Sequence, residues 1–248
     1  MINSPNQDWH LFYEKEAGEY DHSRYGGCYG QLFRKLHHET LVHLIRSHAF
    51  GKTLDVAAGT GHVTLLLASM GFDVTALDLT EAMLRLAQKK LHEQNLHTNF
   101  TIGSVLELPF SDESFKLVVS TRFLHLWPHE QQKIVLAEMT RVLVTGGVLI
   151  VDFDNWWHKS LLSLPIFIYQ KLTGKRRKVG EYYNRVRQTI LMVESLGIRI
   201  NDIRGVGGYH LFLPAIFSQG LARTLGRING STPLRVISEQ FILKGQKR

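Results

Sequence analysis

Cysteine and long apolar runs are scarce in this sequence of 248 residues. Cys28 is the single cysteine, which excludes a disulfide framework within the chain and fits a reducing compartment. No apolar run approaches the roughly 18–20 residues that cross a bilayer as a helix. The opening segment, MINSPNQDWHLFYEKE, is polar and acidic, unlike a secretory signal. These features predict a cytoplasmic protein.

Acidic side chains are the minority charge, with 22 Asp and Glu against 29 Lys and Arg, so the formal net charge is +7. This balance weakly favours acidic partners such as nucleic acid or an anionic membrane, although many basic proteins bind neither. The sequence has no internal repeat, and 44% of its residues are hydrophobic. Length and composition therefore predict one domain, residues 1–248, with one sizeable core.

Short apolar segments alternate with segments of helical periodicity along most of the chain. The predicted strands are KTLDV, FDVTALD, NFTIGS, FKLVVST, GGVLIVDF, IRINDIRGV and LRVISEQFILKG. Helices are predicted between most of them; Gly71 would end one and Thr80 would cap the next. Because such alternation implies crossover connections, we predict a doubly wound α/β fold with a mostly parallel seven-stranded sheet.

The segment from Asp55 to Gly61, DVAAGTG, follows the first predicted strand. Gly59 and Gly61 permit a tight turn and close approach of the backbone to a ligand. Asp55 narrows the choice of ligand, because a carboxylate here repels a pyrophosphate and suits a ligand that carries an ammonium group. S-adenosylmethionine has that chemistry. The alternative interpretation is that Asp55 is a structural cap of the turn.

Asp78 ends the second predicted strand, about twenty residues beyond the glycines. A carboxylate at this place accepts hydrogen bonds from ribose hydroxyls, whereas the plainer interpretation is an acid at a helix N-terminus. Residues 103–105 (Gly-Ser-Val) follow the third strand, where an adenine ring would lie. Leu79 and Met83 are candidates to flank that ring, although ordinary helix core explains them equally well.

Four segments together resemble a known family, the class I S-adenosylmethionine-dependent methyltransferases. They are LDVAAGTGHVT, ALDLTEAMLRLAQKK, GSVLELPFSDESFKLVVSTRFLHL and EMTRVLVTGGVLIVDF, between about Thr53 and Phe153. The resemblance is nearest to the subgroup with the ubiquinone and menaquinone biosynthesis C-methyltransferases. It implies a Rossmann-like methyltransferase fold, S-adenosyl-L-methionine as the cofactor, and methyl transfer to a small molecule, which we expect to be apolar or aromatic.

The resemblance also implies roles for individual residues. Asp78 would hold the ribose hydroxyls, Thr121 the methionine amino group, and an N-terminal helix would close over the cofactor. The residues implied to contact the cofactor are Tyr13, Tyr20, Arg24, Asp55, Ala57, Gly59, Gly61, Asp78, Leu79, Met83, Ser104, Val105 and Thr121. The chain would divide into a helical cap (1–50), a cofactor-binding core (51–155), a lid or substrate insertion (156–197) and the final strands (198–248).

Five positions depart from the family's usual residues. Ala57 replaces a glycine, Ser104 replaces an aspartate that accepts from the adenine amino group, and Thr145 replaces a proline. Arg122 stands where quinone-pathway relatives carry an apolar residue, and His125 where some carry arginine; both face the expected substrate side. His125 is the candidate general base, since imidazole titrates near neutral pH. The alternative is a histidine that caps its own loop.

The segment 160–178 is apolar in its first half and basic in its second. We interpret it as a lid, and the alternatives are peripheral contact with an anionic membrane or binding of RNA phosphates. Aromatic residues on either side are candidates to line a substrate pocket. They are Trp156, Trp157, Tyr182, Tyr183, Tyr209, Phe212 and Phe217.

Three other functions stay open at this point. One is an RNA methyltransferase, although an Asn-Pro-Pro-Tyr type of motif does not follow the fourth strand. Another is an NAD-linked oxidoreductase, which needs a third glycine where Thr64 stands. The third is a non-catalytic S-adenosylmethionine-binding regulator. No metal site is predicted, because His37, His38, His43 and His48 do not place three ligands on one helix face.

Overall fold

A computed structural model describes residues 5–46, 51–162 and 182–248. Residues 163–181 of the predicted insertion lie outside these described residues, including most of the apolar and basic segment 160–178. Seven strands form one sheet. In chain order they are β1 (Lys52–Val56), β2 (Asp73–Asp78), β3 (Asn99–Ile102), β4 (Phe115–Ser120), β5 (Leu143–Asp154), β6 (Ile198–Val206) and β7 (Gln240–Lys247).

The strands follow the order β3-β2-β1-β4-β5-β7-β6 across the sheet. β1 pairs in parallel with β2 and β4, and β3 and β5 extend the parallel part on either side. β7 is antiparallel to β5 and β6. The prediction of a mostly parallel seven-stranded sheet is confirmed. The strand order reverses between β1 and β4, and sheets of this kind bind ligands at the carboxyl ends of the strands beside such a switch.

Helices lie on both faces of the sheet. In chain order, those of the described residues are α1 (Pro5–Glu16), α2 (Tyr20–Tyr25), α3 (Cys28–Ile45), α4 (His62–Ser69), α5 (Glu81–His92), α6 (His129–Val142), α7 (Val186–Glu194), α8 (Phe212–Phe217) and α9 (Gln219–Ser231). The first three form the predicted N-terminal helical region. Within the described ranges, no helix combines the length and apolar character needed to cross a membrane.

Neighbouring side chains along a strand enter two separate cores, because successive residues point to opposite faces. In β4, Val118 packs in one cluster with Leu136 of α6. Leu117 and Val119 pack in the other cluster with Leu67 of α4. Since both faces of the sheet are buried under helices, the prediction of a doubly wound fold is confirmed.

Two local predictions near the C-terminus were wrong. The last strand was expected from Leu234, but Pro233–Ile237 is a 3-10 turn and β7 begins at Gln240. Pro233 lacks the N–H that a strand ladder requires, which favours the turn. The helices α8 and α9 were not predicted at all; glycines at 220, 226 and 230 obscure the helical pattern of α9 in the sequence.

Gly61 serves the packing of two helices. It precedes α4 with a left-handed φ of 79°. A Cβ built on it would lie 2.5 Å from the Cβ of Ala87 in α5. The close approach of α4 to α5 therefore requires glycine here, which was not foreseen when this residue was assigned to the ligand loop.

We predict that Gly61→Ala destabilises the protein by roughly 2–5 kcal/mol, which combines left-handed strain with overpacking against Ala87. Gly197→Ala is the matched control, because Gly197 has a φ of 84° but a Cβ there meets nothing within 4 Å. It should cost only the strain, about 1–2 kcal/mol. Urea denaturation of both variants measures the difference, and equal costs would contradict the packing argument.

Candidate active site

A pocket opens at the carboxyl ends of β1, β2 and β4, beside the switch in strand order, and the N-terminal helices contribute to its wall. Of the residues predicted to contact the cofactor, all except Arg24 and Gly61 line this pocket. Those in the lining are Tyr13, Tyr20, Asp55, Ala57, Gly59, Asp78, Leu79, Met83, Ser104, Val105 and Thr121. The structure thus brings these residues into one cavity, and their individual contacts with a cofactor stay predictions.

Asp78 joins the loop after β1 to the start of α5. Its Oδ2 accepts a hydrogen bond from the Gly59 N–H at 2.8 Å, and its Oδ1 accepts one from the Thr80 N–H at 2.8 Å. Burial raises the pKa of this carboxyl, and the N–H donors oppose that effect. Because a carboxylate has about four acceptor positions, Asp78 retains capacity for further donors.

Asp55 is a buried acid at the end of β1. Its side chain lines the pocket and accepts a hydrogen bond from the Thr64 hydroxyl at 2.6 Å. Burial raises the pKa of Asp55 to about 7; the Thr64 hydrogen bond lowers it, and the charge of Asp78 raises it further. The two acids are therefore close enough to interact, and a cationic group between them would relieve both.

The loop that follows β1 has left-handed backbone at two positions that line the pocket. Ala57 has a φ of 58° and Gly59 a φ of 54°. Glycine is the residue that adopts this conformation without strain, so Ala57 carries a strain that the glycine implied by the family resemblance would not have. A Cβ on Gly59 would meet nothing within 4 Å, so backbone conformation rather than crowding favours glycine there.

The residues expected to hold adenine include buried apolar side chains and one polar side chain. Met83 and Val105 are buried. The Ser104 hydroxyl accepts a hydrogen bond from the Leu106 N–H at 3.2 Å. Its O–H therefore remains a donor, whereas the aspartate usual in relatives would act as an acceptor only.

One carboxylate fastens the N-terminal helices to the glycine loop. Asp21 of α2 accepts hydrogen bonds from the Thr60 hydroxyl at 2.7 Å, from His62 Nε2 at 2.9 Å and from Lys90 Nζ of α5 at 2.5 Å. Burial would raise the pKa of Asp21, but these partners together hold it well below its usual range. Sequence reasoning missed this residue, since its partners lie 39 to 69 positions away.

Two of the three residues predicted for the N-terminal cap line the pocket. Tyr13 and Tyr20 line the pocket and contact each other edge to face, with ring centroids 6.0 Å apart. Arg24 lies outside the lining, with its guanidinium carbon 5.5 Å from the Tyr20 ring centroid. Its direct contact with a cofactor stays a prediction.

His125 also lies outside the lining, in the 3-10 turn Leu124–Leu126, where its carbonyl oxygen accepts from the Tyr182 N–H at 2.7 Å. Its role as a base stays a prediction. The histidines that do line the pocket are His10, His37, His38 and His62. Across the described ranges, no group of three or more His, Cys, Asp or Glu could hold a metal ion.

Besides Tyr13 and Tyr20, the pocket has an aromatic lining that was not predicted from the sequence. It includes Tyr25, Phe33, Phe123 and Trp127, and Arg122 lies among them. Of the candidates beside the insertion, Trp156, Trp157, Tyr182, Tyr183 and Phe217 are not in this lining, and Phe217 is 84% exposed. The side chains of Tyr209 and Phe212 are not described, so their part in a substrate pocket stays a prediction.

Comparisons with known proteins agree with this architecture. A family model described as a methyltransferase domain matches residues 53–147. An uncharacterized methyltransferase of Staphylococcus carnosus is 26% identical over 197 residues, covering 77% of this chain and 91% of that protein. A ubiquinone/menaquinone biosynthesis C-methyltransferase of Burkholderia mallei is 30% identical over 149 residues, which is 57% of this chain. The match spans only 60% of that relative's length.

Among solved structures, magnesium protoporphyrin IX methyltransferase of Synechocystis with bound S-adenosylhomocysteine (SAH) has a TM-score of 0.70 to this chain. It is 14% identical, and the match covers 98% of this chain and all of that one. A likeness at this identity concerns the fold. Together with the matched domain and the methyltransferase relatives, it supports a methyltransferase that uses S-adenosylmethionine. The NAD-linked alternative is set aside.

We predict that Asp55 makes stability pH-dependent. Its pKa of about 7 in the folded chain exceeds the ordinary 3.8, so the folded state retains this proton where the unfolded state has lost it. The stabilising contribution is complete below pH 4 and disappears as the pH rises to about 7. Asp55→Asn, which retains an acceptor for Thr64, should therefore become more stable relative to wild type as the pH rises.

Chemical denaturation at pH 4.5 and pH 7.5 measures this effect. The ratio of the unfolding equilibrium constants, wild type over Asp55→Asn, should grow roughly tenfold or more between the two pH values. Asp73→Asn, at an exposed acid that begins β2, is the control and should leave the ratio flat. A flat ratio for Asp55→Asn would show that this carboxyl has an ordinary pKa.

Proposed function

We propose that this methyltransferase transfers a methyl group from S-adenosylmethionine to a small apolar or aromatic molecule. The observation that supports this best is the mixed lining of the pocket. Two acids at the ends of β1 and β2 line it, together with aromatic side chains from α2, α3 and the loop after β4. The acids suit a sulfonium cofactor with an ammonium group, and the aromatic side chains suit an apolar acceptor.

The cofactor contacts in this proposal follow from the donors and acceptors present. Asp78, with unused acceptor positions, would bind the ribose hydroxyls, and Asp55 would attract the ammonium group. Leu79 and Met83 would flank the adenine, with Ser104 and Val105 at its edge. Thr121, at the end of β4, would contact the methionine amino group. Tyr13 and Tyr20 would close the cap over the cofactor, with Arg24 behind Tyr20.

Bound S-adenosylmethionine supplies an electrophilic methyl group. The protein then has to orient the acceptor and exclude water, which contributes up to roughly 7–11 kcal/mol of barrier lowering. A base is needed only when the acceptor has a proton to lose. His38 lines the pocket, and burial is the main cause that lowers its pKa to about 4, so this imidazole is neutral at pH 7 and able to accept a proton.

The division of the chain into cap, core, lid and final strands is part of the proposal. The insertion from 160 to 178, as lid or as membrane contact, lies mostly outside the described residues and stays a prediction. The class of the methyl acceptor is proposed from the residues that line this chain's pocket. It is not taken from the C-methyltransferase relatives, because these match over only part of their length.

Label transfer tests the acceptor class. The purified protein is incubated with S-adenosylmethionine labelled on its methyl carbon, together with a small-molecule extract in one arm and total RNA in another. We expect the label in an apolar small molecule. Label in RNA, or in neither arm while the cofactor is bound, would contradict the proposal. Glu81→Ala, at an exposed acid of α5 outside the pocket, is the control and should transfer label as wild type does.

A further inference from the structure

Arg122 occupies the pocket in a backbone conformation that is uncommon for a long side chain. It follows β4 with a left-handed φ of 57°. Its N–H donates to Asp152 Oδ1 at 2.7 Å, and the other oxygen of this buried acid lies 3.3 Å from His37 Nε2. A strained conformation persists only where its surroundings impose it, and such positions cluster at ligand sites. The buried Asp152–His37 pair provides that constraint.

The guanidinium of Arg122 lies among aromatic rings rather than acids. Its central carbon is 5.8 Å from the ring centroid of Tyr25 and 5.3 Å from that of Phe33. Its Nε is buried and has no hydrogen-bond partner. Among the contacts of the described residues, the guanidinium makes no hydrogen bond and no ion pair, and Arg122 is one of the residues that line the pocket.

The acids that interact with Arg122 at longer range have other donors. Asp154 accepts from Gln240 Nε2 at 2.7 Å, and Glu239 accepts from the Tyr29 hydroxyl at 2.5 Å. Arginine stays charged in proteins, and Arg122 is half-buried with no anion in direct contact with its guanidinium. The N–H groups of the guanidinium therefore have no anionic partner among the described residues, and an anion that enters the pocket would supply one.

We propose that Arg122 determines substrate specificity by binding a carboxylate on the methyl acceptor. This inference rests on the proposed function, because it assigns the aromatic part of the pocket to the acceptor. A guanidinium pairs with a planar carboxylate through two parallel hydrogen bonds. The rings of Tyr25 and Phe33 favour an acceptor with an aromatic body, so the proposed class is aromatic carboxylic acids.

The opposite charges within the pocket support this orientation. Asp55 and Asp78 would repel an acidic acceptor from the cofactor's part of the pocket, and Arg122 would attract it to the other part. The competing possibility is that Arg122 binds the carboxylate of the cofactor's methionine. The test has to separate these two carboxylates.

The test uses the intact protein saturated with SAH, so that the cofactor's carboxylate is already bound. Calorimetry then compares benzoate with benzamide, two planar ligands that differ in charge. We expect wild type to bind benzoate at least about tenfold more tightly than benzamide, and Arg122→Met to lose this preference. Arg85→Met, an exposed arginine of α5, is the matched control and should keep it.

Two further measurements keep the outcomes distinct. Arg122→Met should unfold close to the wild-type temperature, since the half-buried guanidinium makes no direct ion pair and methionine retains an apolar chain between the two rings, and its SAH affinity should stay within about twofold. Equal binding of benzoate and benzamide by wild type would overturn the inference. A tenfold loss of SAH affinity in Arg122→Met would overturn it too, and would assign Arg122 to the cofactor. Failure of wild type to bind SAH would instead refute the proposed function.

Discussion

The two hydrogen bonds that Asp78 accepts from backbone N–H groups are the constraint on which the pocket depends. One comes from Gly59 in the loop after β1 and the other from Thr80 at the start of α5. They join two segments that follow neighbouring parallel strands. Because Ala57 and Gly59 have left-handed backbone, this loop needs an external partner to hold its shape. The same carboxylate that shapes the loop is the one proposed to bind the ribose.

The charged residues of the pocket come from different elements of the fold. Asp55 and Asp78 lie at the ends of two strands, and the paired strands fix their positions. Burial raises the pKa of both carboxyl groups. Asp21 lies in the helical cap and fastens it to the loop and to α5. Arg122 provides the opposite charge from the loop after β4. A cationic cofactor and an anionic acceptor would each meet the complementary sign.

Local sequence patterns predict much of the fold and of the acidic part of the site. Asp55 and Asp78 follow adjacent strands, and parallel strands bring their carboxyl ends to one edge, so their proximity follows from position in the chain. Arg122 could be noticed in the sequence as a departure from relatives, but its aromatic neighbours Tyr25 and Phe33 are about ninety residues away. The position of this guanidinium beside two aromatic rings depends on how α2 and α3 pack, which no local pattern encodes. The same reason explains why Asp21 was missed.

The most direct measurement of the central claim is calorimetric titration of SAH into wild type and Asp78→Ala. Glu81→Ala, which removes a nearby but exposed carboxylate, is the control for charge alone. We expect Asp78→Ala to lower the affinity for SAH at least tenfold, about 1.4 kcal/mol, while the Glu81 variant stays close to wild type. Unchanged affinity in a folded Asp78→Ala protein would show that this carboxylate does not hold the cofactor.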